Sequence, residues 1–336
     1  MPLLPTLFLL FTDPFFQVPR TGAYTFGEIM TLLVVGSMAF DSLETPFGKR
    51  DQALGGSANY FSLCASFFSD VKLVAVVGDD FPADHVDFLK SRNVDTEGLI
   101  RASGKTFHWT GKYGYDLNEA QTLDTQLNVF ADFDPTLPES YRKADTVFLA
   151  NIDPELQLKV LEQVENRKIV AMDSMNFWIQ GKREALMETI RHVDVMFLND
   201  AEARQLSGEH NIVKAARGIQ KMGASTVVVK RGEYGALYFG PEQIFFTPAF
   251  PLENVYDPTG AGDTFAGGFL GWADRHGATL DASLARQNMV MGTVMASYVV
   301  EDFSFDRMRT LSHGDILQRW QSIVELTDFH RGIELG

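Results

Sequence analysis

The sequence predicts a doubly wound α/β fold, and the evidence is a repeated alternation of strand-like and helix-like runs in a chain rich enough in apolar residues to cover a sheet on both faces. Continuous apolar runs at residues 32–36, 71–77, 146–150, 169–172, 193–198 and 226–229 have the character of parallel strands buried on both sides. Helix-like stretches at 57–68, 83–91, 154–165, 182–192 and 212–222 lie between several of them. Strand then helix, repeated, means a mainly parallel sheet flanked by helices. With 336 residues, 45% hydrophobic and 22% charged, the chain can bury one large α/β core or two smaller ones.

The first 29 residues read differently. Residues 3–16 are apolar, but Pro5 and Pro14 break the run and no basic residue precedes it. It is too short to span a bilayer and a poor secretory signal. Met30 stands immediately before the first strand, so the expectation is that it is the natural start. Residues 1–29 would then stand outside a fold made of residues 30–336.

Two segments break the alternation. Residues 40–52 are polar and turn-rich, while residues 105–130 alternate aromatic and polar side chains, among them Phe107, Trp109, Tyr113 and Tyr115. Such a pattern suits a half-exposed antiparallel hairpin, and together the two segments would make a small sheet beside the main one. An exposed aromatic sheet edge needs covering, so a homodimer through this sheet is expected. Residues 278–300 read as a long, buried helix whose methionines pack in the core.

Charge and cysteine usage narrow the partners. A formal net charge of −15 argues against nucleic acid or an anionic membrane, since both need a basic face. Cys64 is the single cysteine and lies in an apolar run, so no internal disulfide can form and a reducing cytoplasm fits.

The chemistry centres on Asp257-Pro-Thr-Gly-Ala-Gly-Asp-Thr-Phe265, between an extended aromatic run at 243–250 and an apolar helical segment at 265–272. A helix should begin near Asp263, and its first amides carry the positive end of the helix dipole. Gly260, Ala261 and Gly262 are small enough for their N–H groups to converge on one anion. Asp263 beside that anion is repulsive unless a hydroxyl sits between them, which is the geometry of phosphoryl transfer to an alcohol. The helix start should keep Asp263 ionised and therefore a weak base. The plainer reading makes Asp263 a cap after a Pro-Gly turn.

This segment resembles the C-terminal signature of the ribokinase-like (PfkB) carbohydrate kinases, and matching features run from about Leu32 to Ser297. The resemblance implies a doubly wound domain with a small β lid, here 40–52 and 105–130, which often doubles as a dimer surface. It also implies that Asp263 is the catalytic base and that the amides of Gly260 to Gly262 form the anion hole.

Other positions then acquire candidate roles. Asp41 follows the first strand, can accept two sugar hydroxyls, and matches the family's substrate aspartate; the plainer reading is a solvated turn aspartate. Gly55-Gly56-Ser57-Ala58-Asn59 is similar to the family's N-terminal glycine signature: the two glycines let a sugar lie against the backbone, Ser57 either caps a helix or donates to a hydroxyl, and Asn59, one residue earlier than the family's asparagine, is a further candidate substrate contact. Tyr60 stands at that asparagine position and Ala39 replaces a sugar-binding asparagine, and both departures count against ribose itself. Tyr60 is either a stacking surface or a core residue. Asn199 and Glu202 match an Asn-x-x-Glu motif that holds Mg²⁺-bound waters, or form a capping box. Lys230 is a candidate phosphate contact. Gly232 and Gly235 permit close backbone approach to a nucleotide or form a turn. Asn288 matches a residue near the adenine or makes a buried structural hydrogen bond. Asp257 and Thr259 match a monovalent cation site, so K⁺ activation is expected. Gly104-Lys105-Thr106 only superficially resembles a phosphate loop, since the glycine spacing is wrong and a hairpin follows.

The expected function is therefore ATP- and Mg²⁺-dependent phosphoryl transfer to an alcohol group of a sugar or nucleoside. The alternative is a non-catalytic sugar- or nucleotide-binding regulator on the same fold. Nucleoside, hexose and phosphosugar acceptors all remain open at this point.

Overall fold

The computed structural model describes residues 30–118 and 120–328. Residues 1–29, expected to stand apart from the fold, lie outside the described residues.

A nine-stranded sheet forms the centre. Its strands are β1 (Thr31–Val35), β4 (Asp70–Val77), β5 (Val94–Arg101), β8 (Thr146–Leu149), β9 (Ile169–Asp173), β10 (Val195–Asn199), β11 (Thr226–Lys230), β12 (Ala236–Phe239) and β13 (Ile244–Thr247). The remaining four, β2 (Ala39–Thr45), β3 (Gly48–Gly55), β6 (Phe107–Tyr113) and β7 (Ala120–Gln126), make a separate sheet in the order β3-β2-β6-β7. The large sheet runs β13-β12-β11-β10-β9-β8-β1-β4-β5, parallel except for the antiparallel pairs β11/β12 and β12/β13. From β1 the chain moves outward through β4 and β5, then returns to the other side of β1 at β8. That reversal opens a crevice at the carboxyl ends of the strands, where ligands bind in such sheets.

Alternation within β1 sorts the core. Leu32 and Val34 face the helices Ser57–Ala65, Ala261–Arg275 and Ala282–Val299, together with Phe61, Phe148, Phe197 and Phe269. Leu33 and Val35 face the opposite layer with Leu149, Met172 and Leu198, covered by Pro154–Leu161, Arg183–Ile190, Asp200–Ser207 and Ile212–Met222. Both faces of the strands are dry, which is why their sequences read as unbroken apolar runs.

Three elements carry little sequence pattern. Strand β5 interrupts its apolar residues with Asp95, Glu97 and Gly98 because it is an edge strand and only half-covered. Strand β12 has only four residues. The helix His313–Thr327 is announced by a capping box between Ser312 and Asp315, a short signal easily lost among polar residues.

The helix Ala261–Arg275 is clamped from both sides at backbone distance. A Cβ on Gly267 would lie 2.8 Å from the Phe61 carbonyl, one on Gly268 would lie 2.8 Å from the Met291 carbonyl, and one on Gly292 would lie 2.9 Å from the Phe265 carbonyl. Close helix contact therefore fixes the angle at which Asp263 enters the crevice. Gly292→Leu must push the two helices apart, and thermal unfolding should show a loss of about 3 °C or more in Tm. An unchanged Tm would contradict the backbone-close packing.

Candidate active site

The helix Ala261–Arg275 begins two residues earlier than the pattern alone suggests, because Gly260 at its N-cap takes the left-handed conformation, φ 75° and ψ 0°. That conformation suits glycine, and the space is closed as well, since a Cβ there would meet the Tyr60 ring at 2.4 Å. Tyr60 is thus a buried floor beneath the loop, its ring 4.3 Å from that of Phe305, and not a surface for a sugar.

The expected trio of donors is altered. The Ala261 amide donates to the Pro258 carbonyl at 3.2 Å, closing the turn, so it is drawn away from a shared anion. The amides of Gly260 and Gly262 donate to no protein group among the described residues. Gly262 faces Lys230, whose Nζ would be 2.8 Å from a Cβ at that position.

Lys230 ends β11, Asn199 pairs with it at the end of β10, and Asp173 ends β9. The Lys230 ammonium is bonded to the Asp173 carboxylate, whose other oxygen accepts the Ser174 amide at 2.8 Å. Burial pulls the Lys230 pKa down, but Asp173, Glu202 and Asp263 more than offset it and hold it above the ordinary lysine value.

The charge state of Asp263 departs from expectation. Its pKa is pushed up to about 7, chiefly by burial and then by Asp173, with Lys230 and its own amide opposing. Helix-start stabilisation is therefore outweighed, and Asp263 is a stronger base than its helix position suggested. Glu202 rises to about 7 from burial and then Asp173, against Lys230. Asp41 is buried and rises to about 8, from burial first and then from Asp257 and Asp263.

Gly55 exists to admit that side chain, because its Cβ would overlap the Asp41 carboxylate at 1.9 Å. Gly56, at φ 97°, lies against the backbone of Ser37 to Ala39. These glycines seat Asp41 and the chain crossing, where direct contact with a sugar was expected. Ser57 exchanges hydrogen bonds with Ser37: the Ser57 amide donates to Ser37 Oγ at 3.0 Å and the Ser37 amide to Ser57 Oγ at 3.3 Å. Asn59 corrects the sequence reading outright. It is fully buried, donating to the Gly55 carbonyl at 3.1 Å and accepting from His85 Nε2 at 2.9 Å, so it holds the loop and does not face the crevice. Burial and Arg309 push the His85 pKa down to about 4, which keeps the ring neutral for that role.

On the other side, Asn199 and Glu202 form the reciprocal capping box, each amide bonded to the other's side chain at 2.8 Å. One Glu202 oxygen is spent there. Gly232, at φ 52°, is overlain by Asn118 from the β6–β7 connection, and Gly235 packs against the Thr247 carbonyl. Gly235 is therefore a turn residue. Asn288 is fully buried, and among the described residues neither amide atom has a partner, so no structural hydrogen bond there holds it. Asp257 accepts the amides of Thr259 at 2.9 Å and Ser304 at 3.1 Å, while the Thr259 hydroxyl donates to Tyr113 at 3.1 Å. These side chains work as a clamp, and the expected K⁺ site draws no support from them. Among the described residues no group of three or more His, Cys, Asp or Glu side chains is arranged to hold a metal ion.

Asp173 and Tyr113 are the participants that sequence reasoning missed. Asp173 had a usable signal, an acid at the carboxyl end of a buried parallel strand.

Two carboxylates, a lysine and free helix-start amides converging at strand ends are the equipment of a phosphotransferase. The family model for pfkB family carbohydrate kinases matches residues 25–302. The chain is 33% identical over 248 residues to a cytidine kinase of Thermococcus kodakarensis, covering 72% of this chain and 88% of that one. It is 27% identical over 293 residues to a nucleoside kinase of Methanothermobacter thermautotrophicus, covering 82% and 91%. The nucleoside kinase of Methanocaldococcus jannaschii has the same fold, with a TM-score of 0.69 at 21% identity over 88% of this chain and 99% of that one. The protein belongs to the PfkB family of carbohydrate kinases. It is an ATP-dependent kinase that phosphorylates an alcohol group of a sugar or nucleoside. Among the described residues, no helix is long and apolar enough to cross a membrane.

The raised carboxylates have a consequence for stability. Their folded pKa values exceed the unfolded ones, so the stability they contribute is full below about pH 4 and is lost as pH rises through about 7 to 8. Asp41→Asn removes one such charge. At pH 8.5 its Tm should exceed that of the parent by about 2 °C or more, with the gap closing at pH 5. A variant less stable than the parent at pH 8.5 would refute this account.

Proposed function

We propose that the acceptor is a nucleoside, with Asp41 gripping its sugar hydroxyls and Asp263 taking the proton of the attacking one. The observation that carries the reading is that Asp41 and Asp263 open on one crevice: the strand β6 paired with Asp41 is tied by Tyr113 to Thr259 beside the helix start, and the Asp41 pKa is raised first by burial and then by Asp257 and Asp263. The cytidine kinase relative and the departures at Ala39 and Tyr60 from the ribose-binding pattern favour a nucleoside over ribose. No specific observation favours a binding-only regulator.

Each group has a task. The amides of Gly260 and Gly262 and the Lys230 ammonium meet the charge that develops on the transferred phosphoryl group. Asp173 keeps Lys230 charged and in place. A pKa near 7 suits Asp263 to general-base work at neutral pH. Asn288, with its unpaired amide, and Gly232 line the nucleotide side of this reading. Mg²⁺ arriving with ATP would neutralise phosphate charge. The residues fit it: Glu202 leaves one carboxylate oxygen unspent on the capping box, and Mg²⁺ keeps most of its ligands as water and phosphate oxygens. The four-stranded sheet, built from segments 40–52 and 105–130, serves as the lid that excludes water.

Asp263→Asn should lower kcat about a hundredfold to ten-thousandfold while the acceptor still raises Tm. In the parent enzyme the base must be deprotonated, so kcat/KM should fall about tenfold per pH unit below pH 7. Full activity in Asp263→Asn, or a profile flat from pH 5 to 8, would refute the assignment. The exposed strands β3 and β7 also suit a homodimer through the lid in a cytoplasmic enzyme. Sedimentation should then show association rising with concentration, and a monomer at every concentration would remove the dimer.

A further inference from the structure

We infer that the indole of Trp109 is the platform on which the acceptor's planar base stacks, and that it sets the preference for nucleosides over base-free sugars. The inference rests on the nucleoside reading above and adds the residue that would enforce it.

Strand β6 pairs in parallel with β2, and their register sets Trp109 directly opposite Asp41. Side chains alternate across a sheet, so paired residues leave the same face, about 4.8 Å apart along the hydrogen-bonding direction. That face is the one turned to the anion loop. Tyr113, four residues along β6 and on the same face, bonds the Thr259 hydroxyl, and the buried Asp41 carboxyl feels the charges of Asp257 and Asp263. The Ser42–His108 pair leaves the opposite face and takes no part.

The ring is held in a particular way. It lies down along the strand, its six-membered part filling the place of a side chain at Gly111, where a Cβ would sit 2.1 Å from Cη2. Its Nε1 donates to Thr122 Oγ1 on β7 at 3.1 Å. One face is therefore spent on a glycine and the polar edge on a threonine. The indole is only half-buried and joins neither of the two hydrophobic cores. A large aromatic pinned flat on the crevice side, beside the carboxylate that grips hydroxyls, presents its second face to whatever those hydroxyls carry. A sugar bearing a flat π-system fits that surface, because stacking on an aromatic ring is tolerant of base identity and strong enough to discriminate against a sugar without a base.

The test compares kcat/KM for cytidine, uridine and adenosine with that for ribose in the parent, Trp109→Phe and Trp109→Ala enzymes. Trp109→Ala should lower the nucleoside-to-ribose ratio about tenfold or more, mainly through KM, with Trp109→Phe between it and the parent. Loss of folding would lower both substrates together and leave the ratio intact. Nucleoside addition should also change tryptophan emission in the parent and fail to do so in Trp109→Phe. An unchanged ratio in a Trp109→Ala enzyme that keeps the parent's kcat/KM for ribose would overturn the inference while leaving the nucleoside reading standing. A parent enzyme that phosphorylates only base-free sugars would sink the nucleoside reading itself.

Discussion

A single ammonium group, that of Lys230, balances three carboxylates, one at the end of β9 and two in the first turns of helices, and the charge of the crevice depends on that balance. Asp173 binds it directly, while Glu202 and Asp263 lie within its field. Remove the lysine and the three acids would repel one another. Remove Asp173 and the lysine loses the partner that aims it at Gly262. A buried pair of this kind is weak evidence of stability, since desolvation consumes most of what attraction returns. In the proposed mechanism its worth lies in position, because it would station a cation where phosphate charge grows.

The remaining structure delivers that cation and Asp263 to the same point. Lys230, Asn199 and Asp173 arrive on parallel strands whose register is fixed by two dry faces. Asp263 arrives on a helix whose glycines let it touch its neighbours backbone to backbone. Gly260 then supplies the one left-handed residue that turns the chain into that helix over the Tyr60 ring.

The sheet and the central loop were legible in the sequence because each obeys a local rule: apolar runs for parallel strands, small residues before an acid for an anion-binding helix start. What stayed hidden was long-range. Asp173 looks like any aspartate after a strand until Lys230 is placed across β10 from it. Asn59 looked ligand-facing, yet its environment is set by His85, 26 residues away in sequence. Ala261 looked like a third donor, but whether an amide points outward or closes a turn depends on backbone angles that composition does not encode. The charge of Asp263 was misjudged for the same reason, since the helix effect is local, while burial and then the Asp173 repulsion are not.

An acidic protein must still admit a polyanionic cosubstrate. The formal charge of −15 suggests strong repulsion, but that figure counts every carboxylate as ionised. In the crevice, Asp41 at about 8 is mostly protonated at neutral pH, and Asp263 and Glu202 at about 7 are near half-protonated. Burial thus neutralises the acids of the crevice, and in the proposed mechanism Lys230 with the two free amides would supply the attraction. In the proposed mechanism an acceptor hydroxyl donating to Asp41 would favour its ionised form and return that carboxylate to use as the acceptor binds. The same burial that makes these residues costly to the fold makes them compatible with ATP.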